Sequence, residues 1–96
     1  MDIDDWRGKI DALNEQLLAL LNERARCALE IGHLKQKTGQ PIYAPEREAA
    51  VLSHLKELND GPLTNSAVHR IFQAIITESR QLEQDEKEGA ERDGGD

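Results

Sequence analysis

One helical stripe constrains this chain more than any other feature, because two of its places are cationic. From Ile10 the residues Leu13, Leu17, Leu20, Leu21, Arg24, Ala28, Ile31 and Lys35 keep the three-and-four spacing that lines up one face of an α-helix. At about 3.6 residues per turn, Arg24 and Lys35 point the same way from levels roughly 16 Å apart, which leaves room for a small anion between their tips. Burying unpaired cations costs several kcal/mol. Such positions signal either a carboxylate partner or a site that recruits an anionic ligand.

The stripe's length bears on assembly. A helix of about 35 residues reaches about 50 Å, whereas a compact chain of this size has a radius of gyration of about 13 Å. Two further helical segments are present, both too short to cover the stripe. A second copy is the simplest cover, in an intertwined two-fold homodimer with the long helices packed together. A site on such a helix could draw residues from both chains.

Breakers set the element boundaries. The first helix is expected from Ile3 to Thr38, stopped by Gly39 with Pro41 just beyond. The second opens at Pro45, carries Ala49, Val51, Leu52, Leu55 and Leu58, and ends at Asn59-Asp60-Gly61-Pro62. The third starts at a Thr64 or Asn65 cap and presents Val68, Ile71, Phe72, Ile75, Ile76 and Leu82 on one face. No strand pattern or solenoid period competes. The fold class is all-α, with one long and two shorter helices per chain. Residues 1–84 form the helical domain, and the acidic stretch 85–96, with nothing to bury, is expected to be a disordered tail.

Composition narrows the function. The net charge is −7, and the tail holds more than half of it, six acids against Lys87 and Arg92. An acidic chain with one each of Phe, Tyr and Trp and no basic cluster does not suit nucleic acid or anionic membranes. Its core must be aliphatic, with Trp6 a cover at the start of the first helix. No segment reads as a signal peptide or a membrane span, so a cytoplasmic protein is the expectation. Cys27 stands alone without a neighbouring base and reads as packing or surface. His33, His54 and His69 share no ligand spacing with one another or with Cys27, so no metal is expected.

Taken in order, the pieces R-x-K-I-D-x-L-N, E-R-A, I-G-x-x-K, P-E-R-E and S-x-x-x-E-Q resemble the all-helical class of chorismate mutases. The likeness runs from Asp5 to Gln84 and is nearest to the mutase domain that begins bacterial chorismate mutase–prephenate dehydratase proteins. It implies conversion of chorismate to prephenate by an intramolecular 3,3-rearrangement, on the route to phenylalanine and tyrosine, without nucleophile, metal or cofactor. An enzyme of this kind must fold a flexible dianion into a compact conformer and stabilise charge growing on its ether oxygen. Arginine suits the first task, since it grips a carboxylate with parallel hydrogen bonds. Lysine, a point charge, suits the second.

The resemblance assigns Arg24 to one substrate carboxylate and Arg7, donated by the partner chain, to the other. Lys35 would meet the ether oxygen and a carboxylate. Arg47 would support the site, and Glu48 would accept from the ring hydroxyl. Ser79 would lie on the carboxylate side, and Glu83 would face the ether oxygen opposite Lys35. Two places depart from the family's pattern. Ala44 stands where many members have aspartate, and Glu83 stands where many have glutamine. An ionised carboxylate cannot donate to the ether oxygen, so Glu83 is expected to work protonated. Burial would raise its pKa and Lys35 would lower it, and the sequence does not fix the balance.

Other readings attach to the same residues. Arg24 beside Glu23 or Glu30, and Lys35 beside Glu30 or Gln36, could be ordinary surface neighbours. Arg47 and Glu48 could be first-turn helix chemistry, and Ser79 and Glu83 a polar face. At the level of function, an isochorismate–pyruvate lyase shares the fold and takes a similar dianion. A non-catalytic helical dimerisation or regulatory module is the third reading, against which the set of Arg7, Arg24, Lys35, Arg47, Glu48 and Glu83 weighs. Nothing after Gln84 opens a dehydratase, so a free-standing protein without feedback control is expected.

Overall fold

The computed structural model describes residues 1–93 and contains three α-helices: α1 (Ile3–Thr38), α2 (Pro45–Leu58) and α3 (Asn65–Asp93). Local chemistry fixes their ends. Asp2 and Asp5 form a reciprocal capping box at the start of α1, each carboxylate accepting from the other's backbone N–H. At the other end Gly39 adopts φ 75°, a left-handed turn that glycine reaches without penalty, and its N–H closes on the Lys35 carbonyl. Pro45 opens α2. Thr64 Oγ1 accepts from the Ala67 N–H at 3.0 Å, so Thr64 is the residue that caps α3.

Beyond Gln84 the structure differs from the expected tail, because α3 stays helical through Asp93. Polar pairs one turn apart replace apolar packing there: Gln81 donates to Asp85, Gln84 donates to Glu88, and Lys87 lies 4.0 Å from Glu91. Each such pair supports a helix by only about 0.2–0.5 kcal/mol. The rest of that stretch, 94–96, lies outside the described residues.

Helix α3 packs against both other helices. Arg24 meets Ser79 and His33 meets Glu86, so α1 and α3 run in the same direction. Glu48 meets Arg80, while Lys56 and Glu57 border Asn65 and His69, so α2 runs back along α3. The small core comprises Ala28, Leu52, Val68 and Ile76. The protein is elongated, 61 × 27 × 15 Å, with a radius of gyration of 17.1 Å. That exceeds the compact value because the first half of α1 projects alone. Ile3, Trp6, Ile10, Leu13, Leu17, Leu18 and Leu20 are each more than half exposed. The third helix is longer than expected, yet it too leaves this half bare. Among the described residues no helix is long and apolar enough to cross a membrane.

Candidate active site

Where α1, α2 and α3 converge, a cleft of about 270 Å³ opens between them. This is slightly below the span of typical ligand pockets, about 300–1,000 Å³, and suits a small ligand. Arg24 and Lys35, three turns apart on α1, both line it, as do Arg47 and Glu48 from the first turn of α2 and Ser79 and Glu83 from α3. The cations on the stripe therefore face a cavity. Neither Arg24 nor Lys35 has a carboxylate partner among the described residues, and neither turns outward as a surface neighbour of Glu23 or Glu30.

Instead, both bind neutral acceptors. Arg24 Nη1 donates to Ser79 Oγ at 2.7 Å, and Lys35 Nζ donates to the Ile42 carbonyl at 3.0 Å. These bonds hold the two side chains in place without cancelling their charge, so both remain available to an anion. Val51, Ile76, Ala28 and Ile31 supply the apolar wall. Ala44, where the resemblance leads one to look for aspartate, also borders the cleft and adds no charge.

Glu83 is the buried ionisable group of the site, with 8% of its surface exposed. Burial raises its carboxyl above the ordinary value of 4.5, and the charge of Lys35 pulls the other way without reversing the shift. The direction that the sequence leaves open is thus upward. Gly32 makes this placement possible. A Cβ at Gly32 would come within 3.2 Å of Glu83 Cγ, so α1 and α3 approach closely only because that position is bare. The glycine of I-G-x-x-K is the sequence's trace of this contact.

Arg80 also lines the cleft, at a position that no motif in the sequence marks. Its Nη1 donates to both Glu48 oxygens, at 2.9 and 3.2 Å, and its guanidinium lies 4.6 Å from the centre of the Tyr43 ring. No local signal could have found it, since both partners are distant in sequence and Arg80 occupies an unconstrained place in S-x-x-x-E-Q. Arg7 is the expected site residue that the cleft does not include. It is exposed near the start of α1, 3.8 Å from Asp4, and about 25 Å along the helix from Arg24. Cys27 is exposed and touches the cleft's rim.

A family model described as chorismate mutase type II matches residues 6–84. The bifunctional chorismate mutase/prephenate dehydratase of Pseudomonas aeruginosa is 46% identical over 83 residues, covering 81% of this chain and 23% of that relative. The chain therefore spans about a quarter of the length of that relative. Among solved structures, a chorismate mutase (form II) from Thermus thermophilus aligns with a TM-score of 0.84 at 36% identity, over 85% of this chain and 93% of its own. The chorismate mutase of Helicobacter pylori, solved in complex with prephenate, aligns at 0.80 and 30% identity over 86% and 90%.

Proposed function

Since this chain belongs to the chorismate mutase type II family, we propose that it converts chorismate to prephenate, an isomerisation within one bound molecule. The observation that carries the reading is the pairing of cations with an acid inside one cleft. Arg24 and Lys35 stand without carboxylate partners, and Glu83 opposite them is pushed towards its protonated form. That combination suits a dianion whose ether oxygen gains charge as its bond breaks.

In this mechanism the carbon–oxygen ether bond breaks as the new carbon–carbon bond forms, and no atom leaves the substrate. Arg24 holds one carboxylate, with Ser79 beside it. Lys35 gives up the Ile42 carbonyl for the ether oxygen and a carboxylate, while protonated Glu83 donates to the same ether oxygen from the other side. Glu48 accepts from the ring hydroxyl and Arg47 adds positive charge at the mouth. The rate gain comes from holding the reactive conformer and from dipoles already aimed at the developing charge.

The second carboxylate needs a cation that one chain does not supply in place. We infer a two-fold homodimer in which Arg7 enters the partner's cleft. Support comes from the bare first half of α1, where each large apolar side chain forgoes on the order of 1 kcal/mol by staying half exposed. An axis crossing α1 near Leu17 would bring Arg7 of one copy to the Arg24–Lys35 level of the other. The enzyme is placed in the cytoplasm on this reading.

The direct test follows chorismate absorbance with purified protein from roughly pH 5 to 8 and identifies the product. Prephenate formation that weakens as pH rises is expected. Pyruvate and salicylate formed only from isochorismate would replace the mutase with a lyase, and a folded dimer inert to both would leave a scaffold.

A further inference from the structure

We propose that Arg80 is a positioning residue: it orients and neutralises Glu48, so that this carboxylate meets the bound dianion as an aimed hydrogen-bond acceptor. The inference rests on the chorismate reading above.

The geometry sets this pair apart from a surface contact. The side chains of Arg80 and Glu48 are 33% and 17% exposed, and both line the cleft. One nitrogen, Arg80 Nη1, bridges both carboxylate oxygens, so each oxygen keeps a lone pair for a ligand donor. Arg80 is itself held from a third direction, where Tyr43 of the loop between α1 and α2 lies under the guanidinium. The carboxylate is thus fixed by a group that is fixed in turn.

Charge supplies the second argument. Glu48 would otherwise set a bare carboxylate beside the place where a dianion must bind, and like charges at this range repel. Arg80 cancels that charge while leaving the acceptor function intact. Arg24 and Lys35, bonded to a hydroxyl and a carbonyl, cannot take over this role without leaving their own positions.

The competing possibility is that Arg80 grips the substrate with its remaining N–H groups. A double-substitution cycle separates the two, using the full chain as wild type, Arg80→Met, Glu48→Gln and the double variant. Kinetics on chorismate and thermal unfolding without ligand are read for all four. Arg80→Met is expected to lower kcat/KM by about tenfold to a hundredfold in the wild-type background, and by less than about threefold where Glu48 is already glutamine. Arg80→Lys should recover part of the loss, since charge is kept while the planar stacking on Tyr43 is lost. The unfolding temperatures should also be non-additive.

Equal kinetic losses in both backgrounds would overturn the proposal, because Arg80 would then act independently of Glu48. So would no loss in either, or additive unfolding shifts. A wild-type protein inert towards chorismate would fail the functional reading instead, and the unfolding cycle would still decide whether Arg80 holds Glu48.

Discussion

The two halves of α1 share one apolar spacing and have different surroundings. From Arg24 to Lys35 the helix lies against α3, buries Ala28 and Gly32, and turns two cations into the cleft. From Ile3 to Leu20 the same periodicity faces solvent, with Leu17 still 55% exposed. Amphipathic spacing thus says which face of a helix needs covering, but not which molecule covers it. In the second half part of the cover comes from the chain itself, with Ile31 still 49% and Leu34 60% exposed. In the first half we assign it to a second copy.

Substitutions placed in each half sharpen that contrast. The largest effect is expected in the cleft. Arg24→Ala should lower kcat/KM by at least about a hundredfold, while circular dichroism and dimer mass stay unchanged, because among the described residues Arg24 is bonded to a hydroxyl and to no carboxylate. Leu17→Asp should act through assembly instead: the proposed dimer should dissociate in analytical ultracentrifugation, and turnover should fall because each cleft loses its partner's Arg7. A fully active, monomeric Leu17→Asp protein would break the comparison.

Next in size is Gly32→Ala, at the seam where α1 and α3 close on each other. The added methyl group meets Glu83 at 3.2 Å. Overpacking costs about 1–3 kcal/mol, offset by up to about 1 kcal/mol of helix propensity. A net loss of about 1 kcal/mol in chemical denaturation and about tenfold in turnover is expected.

The smallest effect is on stability, through Glu83. Its folded pKa is raised by burial, so the neutral form favours the fold. That contribution is fully present below the unfolded value, near 4.5, and is lost as pH rises through the folded value. Glu83→Gln, which cannot ionise, should melt like the wild type in acid and progressively above it at higher pH. Its activity profile should also flatten. A steep and unchanged profile in the glutamine variant would remove Glu83 from the chemistry.

These contrasts follow how legible each part was in the sequence. The C-terminal end of α1 and the start of α2 were readable because short-range chemistry sets them: Gly39 after the last turn, and Pro45 at the first. Arg24, Lys35, Arg47, Glu48, Ser79 and Glu83 could be assembled on paper through motif order, and the fold brings them to one cleft. Arg80 could not, since what places it is a carboxylate on α2 and a tyrosine in the preceding loop. The end of α3 was equally hidden. Apolar periodicity stops near Leu82, and the polar pairs that carry the helix on leave no hydrophobic pattern.

In the proposed dimer, the bare half of one α1 completes the cleft on the other chain. Mixing Arg7→Ala protein with Arg24→Ala protein, after dissociation and reassociation, tests it most directly. Each is inactive alone on this account, but the mixed dimer has one cleft with both defects and one with neither. Random reassociation should therefore restore about a quarter of wild-type turnover. Mixed dimers that form and stay inactive would contradict the shared site.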